Sequence, residues 1–496
     1  MGVVQKQGIQ SSVILYLGFA IGAFNILVLF PRFFTPEEFG LTRVLMAIAS
    51  TFSGLALMGT HQMMIKFFPF YKDRLHKKEN DFLFLATLLP VLGFVIICAI
   101  TFLFKDEFLA TYSSRSPLIA DYFYLIYPLA FSLTLFTVFE TYSRTLLKTV
   151  VPSVLRDLGY RAFTTFFIAL FILKLVQFDS FIVAFCNYYF IAVLIMMIYV
   201  HRLQHLNYVT TFSFLSKRLR KRMINYGALM YGGSLFGILA ENVDTLMIAF
   251  TMNNGLKSTA IFVVASYVAT IIQVPKRSIA NVLAPIISQA WKDKNVGLIE
   301  SLYKKSSITL MVSSIFLFLM IWVNIDELFA FLPAYYAQGK YVVLIMGLST
   351  IIDLSTGVNS EILVTSSSWR VSFYSHVVLI ALSIPTNYFL IKHFGIIGSA
   401  YSNLIAFSAY NIYRFVFIYS KYKMQPFTLN TLKCLLISGI SWFIIVNIPS
   451  IENPFISIAV KGLLLCVLFG TAVIYFKISE DISGLYHQTV KRIFKK

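Results

Sequence analysis

Residues 241–250 read ENVDTLMIAF and set two carboxylates, Glu241 and Asp244, inside an apolar run from Tyr226 to Phe250. A spacing of three puts both on one face of a helix. Such a pair can take up and release a proton, or it can hold a basic partner from another helix. Charged groups recur at this depth in other apolar runs. Glu140 and Arg144 stand four apart, and Arg43 opens the second run. Lys276 and Arg277 follow Pro275 in VPKRSIAN, and Asp353, Asn359 and Glu361 surround Gly357 in STIIDLSTGVNSEIL. A charge at the centre of a bilayer costs roughly 2.5–3.5 kcal/mol on insertion scales. These side chains are therefore expected either to mark helix ends at the headgroups or to face a shared hydrophilic cavity. Lysine and arginine in such a cavity would hold phosphate-type anions. The carboxylates would bond hydroxyls, pair with the basic groups or titrate against an ion gradient.

Catalytic and cofactor chemistry is not signalled. The chain has no GxxxxGK[ST] phosphate loop, no HExxH and no GxSxG. His76, His201, His205, His393 and His487 fall in loops, and His61 and His376 fall near helix ends. The four cysteines, Cys98, Cys186, Cys434 and Cys466, sit in apolar runs without metal spacing and read as packing residues. No cofactor, metal site or catalytic residue is expected.

The elements that must position the charges are membrane helices. The 496 residues are 58% hydrophobic and 13% charged, with mean hydropathy +0.77. Soluble domains carry about 25% charged residues, so the composition indicates an all-α polytopic membrane protein. Runs long enough to cross a bilayer fall near 11–30, 41–65, 82–104, 119–140, 152–173, 180–200, 226–250, 258–275, 306–323, 341–364, 371–391, 396–418, 432–448 and 454–476. The stretch after Lys6 reads as the first span, being too long for a signal-peptide core. With the N-terminus inside, 32 of the 41 lysines and arginines fall on the cytoplasmic side. That asymmetry predicts about fourteen helices with both termini cytoplasmic. It also accounts for the net charge of +19 without nucleic acid, because the basic residues cluster in short loops.

The expected organisation is an N-lobe over 1–200 (helices 1–6), a basic cytoplasmic linker over 201–225, a C-lobe over 226–420 (helices 7–12), and helices 13–14 with a basic tail over 421–496. Gly18 and Gly22 in the first span match Gly233 and Gly237 in the seventh, small residues four apart that let helix backbones approach closely. FFTPEEFGLTRVLMAIAS and AFTMNNGLKSTAIFVVAS follow those two spans in a similar pattern, as parallel repeats would. No soluble domain of useful size lies on either face, which favours transport over catalysis.

LVLFPRFFTPEEFGLTRVLMAIASTFSGLALMGT, LAENVDTLMIAF and DLSTGVNSEIL followed by HFGIIGSAYSN resemble the polysaccharide (O-antigen or teichoic-acid type) flippase branch of the multidrug/oligosaccharidyl-lipid/polysaccharide exporter superfamily. The similarity spans essentially the whole chain. It implies a flippase of the bacterial inner membrane. Such a protein moves an undecaprenyl-diphosphate-linked oligosaccharide outward by alternating access, for lipopolysaccharide or other surface polysaccharide. H⁺ or Na⁺ would be the coupling ion, and membrane lipids and polysaccharide polymerase machinery the partners. Drug exporters of the superfamily often carry an acidic residue in the first helix, where this chain has Asn25 and no carboxylate. The lipid-precursor flippases open with an arginine-rich segment, which is missing. A cation-coupled drug or metabolite antiporter and a polytopic polysaccharide polymerase are the alternatives.

Overall fold

The computed structural model describes residues 3–74, 82–104, 107, 116–204, 217–448 and 451–484. Lys105, Arg115, the 205–216 part of the expected linker and the tail from 485 lie outside the described residues. Every regular element among the described residues is helical. Twelve helices are long and apolar enough to cross a membrane, and the chain is an integral membrane protein. The other two expected spans, 152–173 and 396–418, are helical as well. Polar and charged side chains, Arg156, Asp157 and Arg161 in one and Asn403, Asn411 and Arg414 in the other, dilute their hydropathy.

The chain divides into two compact units, residues 1–260 and 261–496. The first contains α1 (Val3–Phe24), α2 (Pro36–Ala56), α3 (Thr60–Arg74), α4 (Phe82–Leu103), α5 (Ile126–Thr145), α6 (Tyr160–Ile172), α7 (Phe178–Gln204) and α8 (Lys217–Thr251). The cut falls inside α9 (Gly255–Thr270). The second contains α10 (Val274–Lys292), α11 (Val296–Trp322), α12 (Lys340–Ser355), α13 (Asn359–Thr365), α14 (Arg370–Phe394), α15 (Ile396–Tyr422), α16 (Leu429–Val446) and α17 (Pro454–Tyr475).

Helix α8 belongs by its packing with the first unit. Tyr231 donates to the Leu55 carbonyl at 2.6 Å, and Ser50 donates to Asn242 Oδ1 at 3.2 Å. The glycine approach expected at Gly237 is not used: a Cβ there would meet open space. Gly18 does behave as expected, since its Cβ would lie 2.3 Å from the Asp157 carbonyl oxygen. Entry into α2 is fixed by a capping box. Glu38 N–H donates to Thr35 Oγ1 at 3.2 Å, Thr35 N–H donates to Glu38 Oε2 at 2.9 Å, and Pro36 takes the first helical position.

Two departures from regular helix bear on the charges. The expected span 341–364 is broken between α12 and α13 at Gly357, whose φ of +59° suits glycine. A Cβ there would also lie 2.8 Å from Ser306 Oγ. The freed Ser355 carbonyl accepts from Ser307 Oγ at 2.5 Å, so the break is satisfied inside the protein as membrane burial requires. Buried Ile287, Ile299, Tyr303, Ile362 and Ile418 pack α13 against α10, α11 and α15. The second departure is a π-helical stretch, Val154–Gly159, ahead of α6. Lys276 and Arg277 lie in the first turn of α10, where the helical path runs on from α9 without a break, so the span expected to end near 275 continues to Lys292.

Between α11 and α12, Glu327 Oε1 accepts from Lys461 Nζ and from Ser457 Oγ of α17, each at 2.5 Å, with both charged side chains about seven-eighths buried. Burial alone would raise the carboxyl, yet the bonds from Lys461 and Ser457 hold it below its usual range. The pair therefore stabilises the fold above the unfolded carboxylate pKa of about 4.3, and that contribution is lost as pH falls through the depressed folded value. Lys461→Met is expected to cost about 1 kcal/mol at pH 7, read as a lower melting temperature in detergent. The deficit should shrink as the carboxyl protonates. An equal deficit at pH 7 and at pH 3 would exclude the ion pair as its cause.

Candidate functional site

In the first unit, Glu140 lies near the end of α5 with its side chain only 3% exposed. Its Oε1 accepts from Arg144 Nη2 at 2.7 Å, one turn further on, and its Oε2 pairs with Arg156. Arg156 comes from the π-helical stretch and also donates to Thr137 Oγ1 at 3.3 Å, with its guanidinium 5.4 Å from the Phe136 ring centre. Gly18 lets α1 approach this stretch, and Tyr188 donates to the Leu155 carbonyl at 2.6 Å. One carboxylate thus holds two guanidinium groups, whose side chains are 46% and 39% exposed. Asp157, from the same π-helical stretch as Arg156, also acts on this carboxylate electrostatically.

The second unit builds its centre around the broken helix. Asp353, near the end of α12, pairs through Oδ2 with Lys276 on α10. Its Oδ1 accepts from Asn411 Nδ2 of α15 at 3.1 Å. Asn359, the first residue of α13 and fully buried, donates to Asn411 Oδ1 at 3.1 Å and to Thr356 Oγ1 at 2.9 Å. The break therefore brings both ends of the interrupted helix onto one partner helix. Arg414 follows Asn411 by three residues and is 2% exposed. It donates to Ser375 Oγ at 3.0 Å and to Ser372 Oγ at 3.4 Å, and its guanidinium lies 3.9 Å from the Tyr410 ring centre. Hydroxyls and a ring face hold this charge, with Asp353 and Glu361 acting on it electrostatically.

Of the residues singled out in the sequence, the structure joins Glu140 with Arg144, and Lys276 with Asp353, Asn359 being one hydrogen bond further away. Arg43 sits half-buried with its guanidinium 5.1 Å from both the Phe30 and Phe39 ring centres. Arg277 is exposed on α10, and Glu361 is half-buried on α13. Burial separates Glu241 from Asp244 despite their spacing: Glu241 is exposed, whereas Asp244 is 9% exposed.

Arg156, Asn411 and Arg414 were not singled out by the sequence. Arg156 and Arg414 read there as cytoplasmic positive charge. The available signal was the three-residue spacing of Asn411 and Arg414 inside an apolar run, which places both on one face of α15.

The family described as polysaccharide biosynthesis protein matches residues 6–291, and the MatE family matches residues 234–389. No curated protein sequence matches the chain. Among solved structures, the chain is similar to a lipid II flippase MurJ in an inward closed conformation, with TM-score 0.70 and 15% identity over 95% of this chain and 100% of that one. It is also similar to an inward-facing multidrug resistance MATE family transporter, with TM-score 0.63 and 14% identity over 83% and 94% of the two chains. A Vibrio cholerae MATE transporter, VcmN in a bent form, matches with TM-score 0.53 and 13% identity over 84% and 97%. At these identities the likenesses concern the fold.

Proposed function

Because the chain belongs to the polysaccharide biosynthesis protein family, in the flippase branch of the multidrug/oligosaccharidyl-lipid/polysaccharide exporter superfamily, we propose that it translocates a polyprenyl-diphosphate-linked oligosaccharide across the bacterial inner membrane. One observation carries the choice of cargo. The Glu140 centre sets two arginines against one buried carboxylate. Two partly exposed guanidinium groups in a membrane helix bundle suit a diphosphate, which accepts short, charge-assisted hydrogen bonds, better than a hydrophobic cation. In this reading the chain crosses fourteen times with both termini cytoplasmic. Its two six-helix lobes alternate access, Glu241 and Asp244 face the substrate path, and the prenyl tail stays in lipid. The similar MurJ structure is that of a lipid II flippase, which supports a lipid-linked sugar as cargo.

The test is reconstitution in proteoliposomes loaded with a polyprenyl-diphosphate oligosaccharide, following its accessibility to an external glycosidase. The wild-type protein is expected to expose the inner pool. Arg156→Ala should slow the initial rate about tenfold or more, because a hydrogen bond to a charged group contributes roughly 1.5–3 kcal/mol. Protein-free and wild-type vesicles exposing the glycan at equal rates would end the proposal. The MatE match over residues 234–389 favours a second reading, a cation-coupled antiporter of drugs or metabolites. Gradient-driven accumulation of a hydrophobic cation in the same vesicles, without glycan exposure, would select it.

A further inference from the structure

A cavity of about 210 Å³ opens between three helices of the first unit. Its wall is apolar, formed by Met63 and Met64 of α3, Leu85 and Leu89 of α4, and Met223 of α8, with the aliphatic part of Arg220 at its edge. Gly59, in the left-handed region at φ +78°, packs so tightly on α8 that a Cβ would lie 2.5 Å from the Gly227 carbonyl oxygen. Gly93 of α4 packs on the end of α2, where a Cβ would lie 2.4 Å from the Ala56 carbonyl oxygen. The lining residues of α8 precede Gly227, those of α4 precede Gly93, and those of α3 follow Gly59. The close contact at Gly59 joins the start of α3 to α8, that at Gly93 joins α4 to α2, and the cavity forms an apolar wedge on the side of these contacts toward the basic end of α8. Arg220, Lys221 and Arg222 are exposed at that end.

We propose that this wedge holds one acyl chain of an anionic glycerophospholipid whose phosphate rests on Arg220, as a resident lipid rather than as cargo. An apolar wall inside a membrane protein takes hydrocarbon, and methionine side chains adapt to an irregular chain. The exposed basic cluster at the mouth selects a negative headgroup. A tail carried from one leaflet to the other needs a groove along the whole helix, and the close backbone contact of Gly59 with α8 leaves no room for one there, which favours a resident lipid over a transported one.

Full-length protein reconstituted with equimolar phosphatidylglycerol and phosphatidylethanolamine of identical acyl chains, then re-extracted in mild detergent, would be assayed for retained lipid by native mass spectrometry. The wild-type protein should retain about one phosphatidylglycerol, enriched at least threefold over phosphatidylethanolamine. Arg220→Ala, an exposed substitution that leaves packing alone, should bring the ratio to unity. Ala86 of α4 also lines the cavity, so Ala86→Phe fills it and should lower the retention of both lipids. Equal retention of the two lipids by the wild-type protein, or an unchanged ratio in Arg220→Ala, would overturn the proposal. So would displacement of phosphatidylglycerol by an equal concentration of undecaprenyl phosphate, which would make the wedge a cargo-tail site. Glycan translocation is not read in this experiment, so its failure leaves the flippase reading standing.

Discussion

Asp353→Ala is expected to cost the protein about 2–3 kcal/mol of stability and most of its transport. The substitution strands the Lys276 ammonium, whose side chain is 25% exposed, and removes one of the two acceptors of Asn411 Nδ2, the other being the Phe407 carbonyl. Breaking a buried ion pair costs roughly 3–5 kcal/mol, and the partial exposure of both partners reduces that figure. The double variant Lys276→Met/Asp353→Leu has no stranded charge, so its stability should return toward wild type. Transport should not return if Lys276 serves the anionic cargo. Thermal unfolding in detergent separates the first effect, and glycan exposure in proteoliposomes the second. A double variant that transports at the wild-type rate would leave the pair a purely structural clasp between α10 and α12.

The second large effect is expected on α8. Asp244→Asn keeps the side-chain shape and removes a charge that is 9% exposed. Carboxylates at such depth are costly, and they are retained where they have work to do. The variant should insert normally and slow transport about tenfold, or make the rate indifferent to an imposed proton or sodium gradient. Glu241→Gln, on the exposed side of the same helix, should change the rate less. Wild-type rates and an intact gradient response in both variants would remove α8 from any coupling role.

Much of the architecture was legible in local sequence. Apolar runs longer than a bilayer is thick can only be helices there, because each backbone N–H and C=O must be satisfied within its own segment. The four-residue spacing of Glu140 and Arg144 placed them where one helix face lets them pair, whereas the break at Gly357 fell inside a run, 341–364, that reads as one span. The spans and the pair depend on neighbours within a turn or two, which the order of residues specifies directly.

The rest depended on how each helix is rotated about its own axis, which the tertiary structure decided. Lys276 and Asp353 are 77 residues apart, and Arg156 reaches Glu140 from another helix. Hydropathy counts a charge without saying which way it faces, so Arg156 and Arg414 read as cytoplasmic residues although one completes an ion triad and the other is almost wholly buried. Helix rotation follows from where backbones can touch. Among the glycines of α8, a Cβ would meet open space at Gly237, whereas the Gly227 carbonyl meets Gly59. The glycine spacing is the same whichever contact forms. Only the partner surface, assembled from segments far apart in the chain, selects between them.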